Sequence, residues 1–397
     1  MTNWKERISP AVHAVPPSGI RKYFDIAAEM EDVVSLGVGE PDFITPWSIR
    51  ESCVHGLEQG YTSYTANRGM LELREEIAAH YAGRYGISYE PAKDILVTVG
   101  VSEALDIAMR AILSPGDEVL IPEPCYVSYQ ACVTFAGGKP IPVAAKLEND
   151  FRITPEELEP HVTKRTKALL IGYPNNPTGA VMAKDDLQKI AAFAEKHDLI
   201  VVSDEIYGDL TYGGMEHTAF SSLPGMKERT ILLNGFSKAY AMTGWRIGYL
   251  AANAKLTKQV CKLHQYSTIC APIMSQYAAI EGLKNGWNEV ERMRRSYEQR
   301  RNLMYKAFCD MGLPCTEGEG AFYLFPDIRS TGLTSEEFAT QLIENYQVAV
   351  VPGTCFGKGG EGFIRCCYAT DINKIKIAVS RIAELVAELR KKREANR

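Results

Sequence analysis

The stretch NGFSKAYAMTGWRIGYL, residues 234–250, decides how this chain is read. It sets Lys238 and Arg246 eight residues apart, among the small residues, aromatics and glycines that pack inside folds. Lysine and arginine are almost never fully buried without a partner. Two of them here imply an interior that holds something anionic or reactive. The segment also overlaps two short apolar runs, TILLNGFS (230–237) and WRIGYLAA (245–252), which read as buried strands.

Outward from this point the pattern repeats. DILVTVG (94–100) precedes the helical pattern SEALDIAMRAIL, and EVLIPEP (118–124) precedes YVSYQACVTFAG. KALLIGYP (167–174) is followed by KDDLQKIAAFAEKH and then by LIVVSDEIY (199–207). Strand-like runs separated by helices need crossover connections, which predicts a largely parallel sheet covered on both faces. A helix is expected over 46–59, with Thr45 as N-cap, Pro46 at the first helical position and Gly60 beyond the end. After about residue 286 the style changes. The long charged pattern NEVERMRRSYEQRRNLMYKAFCDMG leads into GAFYLFPDI, VAVVPGTCF and FIRCCYA, which suit a smaller sheet backed by helices. The expected division is an N-terminal arm with part of the small domain (1–45), a large domain (46–285) and a small α+β domain (286–397).

Length and composition agree with two domains: 397 residues, 46% hydrophobic and 23% charged, an ordinary globular profile. A net charge of −5 argues against a nucleic-acid or acidic-membrane partner. The basic cluster LRKKREANR at the C-terminus reads as the end of a solvated helix. Ten scattered cysteines without a CxxC pair signal neither a zinc site nor a disulfide scaffold, and fit a reducing cytoplasm. MTNWKERISP lacks an apolar targeting core, and no run approaches the roughly 18 apolar residues of a membrane span.

Doubly wound sheets bind ligands at the carboxyl ends of their strands, and four such ends carry unusual groups. Ser102 opens a helix after ILVTVG; its hydroxyl and the free N–H groups of that first turn suit a phosphate, although taken alone a plain Ser cap is the commoner reading. Asn175, Asn176 and Pro177 form either a connecting turn or a side-chain amide aimed into the cleft. Asp204, closing a buried strand, is either a helix cap or a site acid. Lys238 either reaches solvent or is a desolvated amine ready to form a Schiff base. Together they offer an amine, an acid, an amide and phosphate anchors in Ser102, Ser237 and Arg246, the parts a pyridoxal phosphate site requires. GVGEPD lacks the third glycine of a dinucleotide fingerprint, no GxxxxGK[ST] or HExxH occurs, and GKGGEG (357–362) reads as a flexible turn.

Six motifs then carry a resemblance over essentially the whole chain: LGVGEPDF, YTSY…G…LR, PNNPTGAV, SDEIY, SKAYAMTGWRIGY and FIRCCYA. In this order and spacing the sequence resembles the class I/II aminotransferases, fold type I pyridoxal 5′-phosphate enzymes, nearest the prokaryotic aspartate, aromatic and broad-range branch. The resemblance implies a large domain built on a mostly parallel seven-stranded sheet, and a homodimer. It implies that Lys238 carries the cofactor and moves the proton, and that Asp204 keeps the pyridine nitrogen protonated. Asn176 and Tyr207 would hydrogen-bond the cofactor's 3′-oxygen, and Tyr126 would stack on the ring. Val101, Ser102, Ser237 and Arg246 would hold the phosphate, with Tyr64 reaching in from a second subunit. Arg365 would grip the substrate carboxylate, helped by Asn176 and the backbone of Gly39. No metal is implied.

The function expected on these grounds is ping-pong transfer of an amino group from an L-amino acid to a 2-oxo acid. A carbon–sulfur β-lyase or other lyase on the same scaffold is the alternative, since the cofactor motifs are shared. A non-catalytic sensor domain of a transcription regulator is disfavoured, because no basic helix-turn-helix accompanies the motifs. Aspartate, alanine, aromatic and diaminopimelate-type donors are all compatible with the sequence.

Overall fold

The computed structural model describes residues 7–20, 23, 30 and 32–395. After the short β1 (Val34–Ser35), the chain builds a seven-stranded sheet from β2 (Ile95–Thr98), β3 (Glu118–Glu123), β4 (Lys139–Ala144), β5 (Thr166–Gly172), β6 (Ile200–Asp204), β7 (Thr230–Gly235) and β8 (Gly248–Ala251), in the spatial order β2-β8-β7-β6-β5-β3-β4. The pairs β3–β4, β3–β5, β5–β6 and β6–β7 are parallel. Only β8 runs against the rest, pairing antiparallel with both β2 and β7. Residues in β2, β3, β7 and β8 are buried throughout, as expected for strands covered on both faces.

One strand of the large sheet escaped the reading of the sequence. β4 is KPIPVA, and two prolines in six residues argue against a strand; it is admissible because it lies at the sheet's edge. The helix expected over 46–59 spans Trp47–Glu58, and its predicted cap is corrected. Thr45 makes no capping bond: its hydroxyl donates to Ala241 O at 2.6 Å and accepts from Trp245 Nε1 at 2.9 Å, fixing the turn between β7 and β8 instead. Ser102 is likewise not a cap but the third residue of the helix Gly100–Ile112.

Beyond the sheet, the long charged pattern forms the single helix Trp287–Asp310. It is followed by β9 (Tyr323–Leu324), β10 (Val348–Ala349), β11 (Val351–Pro352) and β12 (Ile364–Cys367), with the helices Ser335–Tyr346 and Ile372–Ala395. β11, β12 and β9 make an antiparallel sheet, and β10 pairs in parallel with β1. The turn 357–362 packs closely on the buried Glu123, for a Cβ on Gly357 would lie 2.4 Å from its carboxyl carbon. Among the described residues no helix is long and apolar enough to cross a membrane, no disulfide forms, and no cluster of His, Cys, Asp and Glu could hold a metal.

Candidate active site

The carboxyl ends of β2, β3, β5, β6 and β7 open on one side of the sheet, and β8 begins there because it runs the other way. A cavity of about 670 Å³ lies above these ends. Every residue that the resemblance assigned to the site lines it except Tyr64, whereas the amide of Asn175 stays in its turn, donating to Gly172 O at 3.2 Å. Lys238 projects from the turn after β7, and its Nζ donates to Gly39 O at 2.7 Å. Its amine also lies 5.7 Å from the centre of the Tyr207 ring and 5.6 Å from that of Phe322. Burial, aided by the positive charges of Arg365 and Arg246, lowers its pKa to about 8.

Asp204 ends β6 and is 6% exposed. Tyr129 Oη donates to its Oδ2 at 2.8 Å, and the Ile206 N–H to its Oδ1 at 3.2 Å. The tyrosine reaches it past Gly172, where a Cβ would stand 2.2 Å from the hydroxyl. Neither partner is a cation, and burial pushes Asp204 up to about 6. A ring nitrogen bearing a proton is the kind of group that holds such a carboxylate ionised. Tyr207 is buried, its hydroxyl 2.9 Å from that of Tyr323, and burial raises its pKa well above the ordinary value, so it remains a donor at neutral pH.

Arg365 sits in the middle of β12 and is 2% exposed. Its Nη1 donates to Asn176 Oδ1 at 3.0 Å and its Nη2 to Gly37 O at 2.5 Å, while Nε finds no partner. The guanidinium carbon lies 4.5 Å from the Tyr323 ring centre and 4.8 Å from that of Phe356. Among the described residues no carboxylate pairs with it. A buried guanidinium held only by neutral acceptors and aromatic faces has charge left to offer an anion.

At the other end of the cavity, the helix Gly100–Ile112 starts against β8. A Cβ on Gly248 would lie 2.8 Å from Val101 N, and one on Gly100 (φ +74°) would lie 2.6 Å from Arg246 Nη2. Only glycine lets the helix start approach this closely. Its first-turn N–H groups, Ser102, Ser237 and Arg246 then surround one corner of the cavity, with the positive end of the helix dipole facing in. The expectation that Arg246 is buried is corrected. It is exposed, because its left-handed turn (φ +51°) places it at the rim, where Nη1 donates to Thr243 O at 3.0 Å. Tyr64 is 80% exposed and away from this cavity.

Two aromatic residues of the site were not nominated from the sequence. Tyr129 stands three residues after Tyr126 in PEPCYVSY, and Tyr323 lies in GAFYLFPDI. A tyrosine within a buried run reads as core, and only the fold brings these hydroxyls to Asp204 and Tyr207. The assembled donor set suits pyridoxal 5′-phosphate: an amine of lowered pKa, an acid lacking a cation, the Tyr126 ring on the cavity wall and N–H groups at a helix start.

Comparison with known proteins agrees with this geometry. The family model for aminotransferase class I and II matches residues 31–382. This chain belongs to the class I and II aminotransferases. It is 54% identical over 375 residues to the putative aminotransferase YugH of Bacillus subtilis, covering 94% of this chain and 97% of that one. It is 47% identical over 383 residues to an aspartate aminotransferase of Pyrococcus abyssi, covering 96% and 98%. Among solved structures, the aromatic aminotransferase of Pyrococcus horikoshii superposes with a TM-score of 0.89 at 46% identity, covering 92% of this chain and 99% of that one. The aminotransferase fold is therefore the fold type I architecture expected from the motifs, and the enzyme transfers amino groups with pyridoxal 5′-phosphate. These relatives support transamination and not the lyase alternative.

Proposed function

We propose that this aminotransferase divides its work between the two ends of the cavity. The observation that carries the reading is Arg365, a buried cation without an acidic partner, within the same cavity as the Lys238 amine. Pyridoxal 5′-phosphate, when bound, supplies the carbon that receives the amino group and a ring that spreads negative charge. Lys238 would hold the cofactor covalently, and its neutral Nζ, once freed, would accept and then return the proton that moves during transfer; Asp204 would keep the ring nitrogen protonated. Asn176 and Tyr207 hydrogen-bond the 3′-oxygen, and Tyr126 covers the ring. Val101, Ser102, Ser237 and Arg246 bind the phosphate. Arg365 takes the substrate carboxylate through two parallel N–H bonds, with Asn176 and Gly39 beside it. The division into 1–45, 46–285 and 286–397 accompanies this reading and is supported by the separate seven-stranded and three-stranded sheets. A cytoplasmic setting is proposed from the unbridged cysteines.

A panel of amino donors, aspartate, alanine, phenylalanine and diaminopimelate, assayed against 2-oxoglutarate and pyruvate tests the function directly. Steady formation of a new amino acid is the expected result; release of ammonia without it would replace transamination by elimination.

Arg365→Lys is expected to lower kcat/KM by roughly 30- to 1,000-fold, mostly through KM, because lysine offers a point charge in place of a planar fork. Every donor shares the α-carboxylate, so acidic, aromatic and small donors lose similarly while cofactor content is kept. A lowered melting temperature with unchanged KM would instead make Arg365 a structural residue.

A homodimer with Tyr64 donated across the interface completes the proposal. It is supported by the apolar side chains exposed just before that tyrosine in the chain, Leu57 at 51% and Tyr61 at 46%. Sedimentation at assay concentration should give twice the chain mass; a fully active monomer would remove Tyr64 from the site.

A further inference from the structure

We propose that Tyr323 is a positioning residue with two separable tasks, its ring seating Arg365 and its hydroxyl strengthening Tyr207 as a donor. The inference rests on the roles proposed above for those two residues. Tyr323 is 1% exposed, lines the cavity and opposes Cys367 in the β9–β12 register, two residues along the strand from Arg365. Its ring centre stands 4.5 Å from the Arg365 guanidinium carbon, and its hydroxyl is 2.9 Å from that of Tyr207. Gly39 passes so close that a Cβ there would lie 2.4 Å from the same hydroxyl, and Gly39 O is the acceptor for Lys238 Nζ. One side chain thus touches the carboxylate receptor, the Tyr207 phenol and the turn that receives the catalytic amine.

The backbone before it is fixed from the large sheet's side. Gly320 N donates to Gly179 O and Ala321 N to Leu210 O, both at 2.9 Å, and Tyr212 Oη donates to Ala321 O at 2.5 Å. Ala321 itself adopts φ +56°, a left-handed conformation that a residue with a Cβ keeps only where its surroundings impose it. This anchoring aims Tyr323 independently of whether the cavity is filled.

The chemistry of each task follows. A guanidinium over an aromatic face is attracted by the ring quadrupole and held flat, and Nε of Arg365 has no other partner to orient it. A phenol that accepts a hydrogen bond becomes a stronger donor through mutual polarisation. With Tyr323 donating to Tyr207, the Tyr207 hydroxyl is freed to donate into the cavity. A stronger donor to the cofactor's 3′-oxygen draws off negative charge that otherwise holds a proton on Lys238 Nζ.

Tyr323→Phe removes the hydroxyl and keeps the ring. The pH midpoint of the loaded enzyme's visible absorption should rise by about half to one unit, while KM for amino donors stays within about twofold. In a Tyr207→Phe background the same change should add no further shift, as a residue acting through Tyr207 requires. Tyr323→Leu removes the ring too and should raise KM for all donors by about 3- to 30-fold with kcat less affected. Tyr323→Met serves the same purpose if the leucine variant folds poorly. An unmoved midpoint in Tyr323→Phe, an equal shift in the Tyr207→Phe background, or an unchanged KM without the ring overturns the proposal. If Tyr207→Phe alone leaves the midpoint unmoved, or Arg365→Lys leaves KM unmoved, the underlying role assignments fail instead.

Discussion

Lys238→Ala is expected to lose roughly 10⁴-fold or more in turnover while still folding and taking up cofactor, since on the proposed roles one substitution deletes both the nucleophile and the proton carrier. The anchors at the start of the helix Gly100–Ile112 and the Arg365 receptor do not depend on the lysine side chain. Borohydride treatment followed by peptide mapping should place the pyridoxyl group on Lys238 in the parent enzyme and on no residue of the variant. A label on another lysine would end the assignment. The lowered pKa, about 8 through burial and the nearby Arg365 and Arg246, also sets a pH dependence. The neutral amine is the attacking form, so capture of added cofactor should accelerate as pH rises through about 8, well below the range of an ordinary lysine.

Asp204→Asn is expected to fold normally, bind cofactor weakly and nearly abolish transamination. Asparagine can accept from the Ile206 N–H and donate to the Tyr129 hydroxyl, which can accept, so the local hydrogen bonds survive. It carries no charge to keep a proton on the ring nitrogen. Stability should move the opposite way. In the folded chain Asp204 is raised to about 6 by burial, so between its unfolded value of 3.8 and 6 the folded state binds the extra proton. Stability without cofactor therefore falls as pH rises across that window, by an amount of order 2–3 kcal/mol that persists above it. Cofactor-free Asp204→Asn should escape this cost and melt higher than the parent at pH 7. Near-parental turnover would refute the role, and an unchanged melting temperature would refute the account of the burial cost.

Much of this site was legible because its chemistry sits where strands end. Apolar runs located β3, β5, β6 and β7, and the residues at or just beyond their ends, Tyr126, Asn176, Asp204 and Lys238, are the ones that meet. What stayed hidden was set by contacts distant in sequence. Tyr129 and Tyr323 reach Asp204 and Tyr207 across separations of 75 and 116 residues. Thr45 resembles a helix cap locally, yet its hydroxyl is taken by Ala241, 196 residues away. Arg246 sits among residues that pack inside, but one left-handed turn carries it to the rim. Periodicity reports which face of an element is covered and is silent about which partner a polar group finds.

The prolines of β4 have a consequence for how the molecule behaves in a crowd. Lys139 N donates to Asp117 O and Ala145 N to Glu123 O, so the odd-numbered residues of this stretch turn their N–H groups toward β3. Pro140 and Pro142 then occupy positions whose nitrogens face outward from the sheet. A bare strand edge is a template on which other chains can add, the first step toward aggregation. Here the outward row lacks its donors at two successive positions, and an incoming strand would find acceptors with nothing to pair beside them. The sheet ends at β4 because the next strand has no ladder to climb.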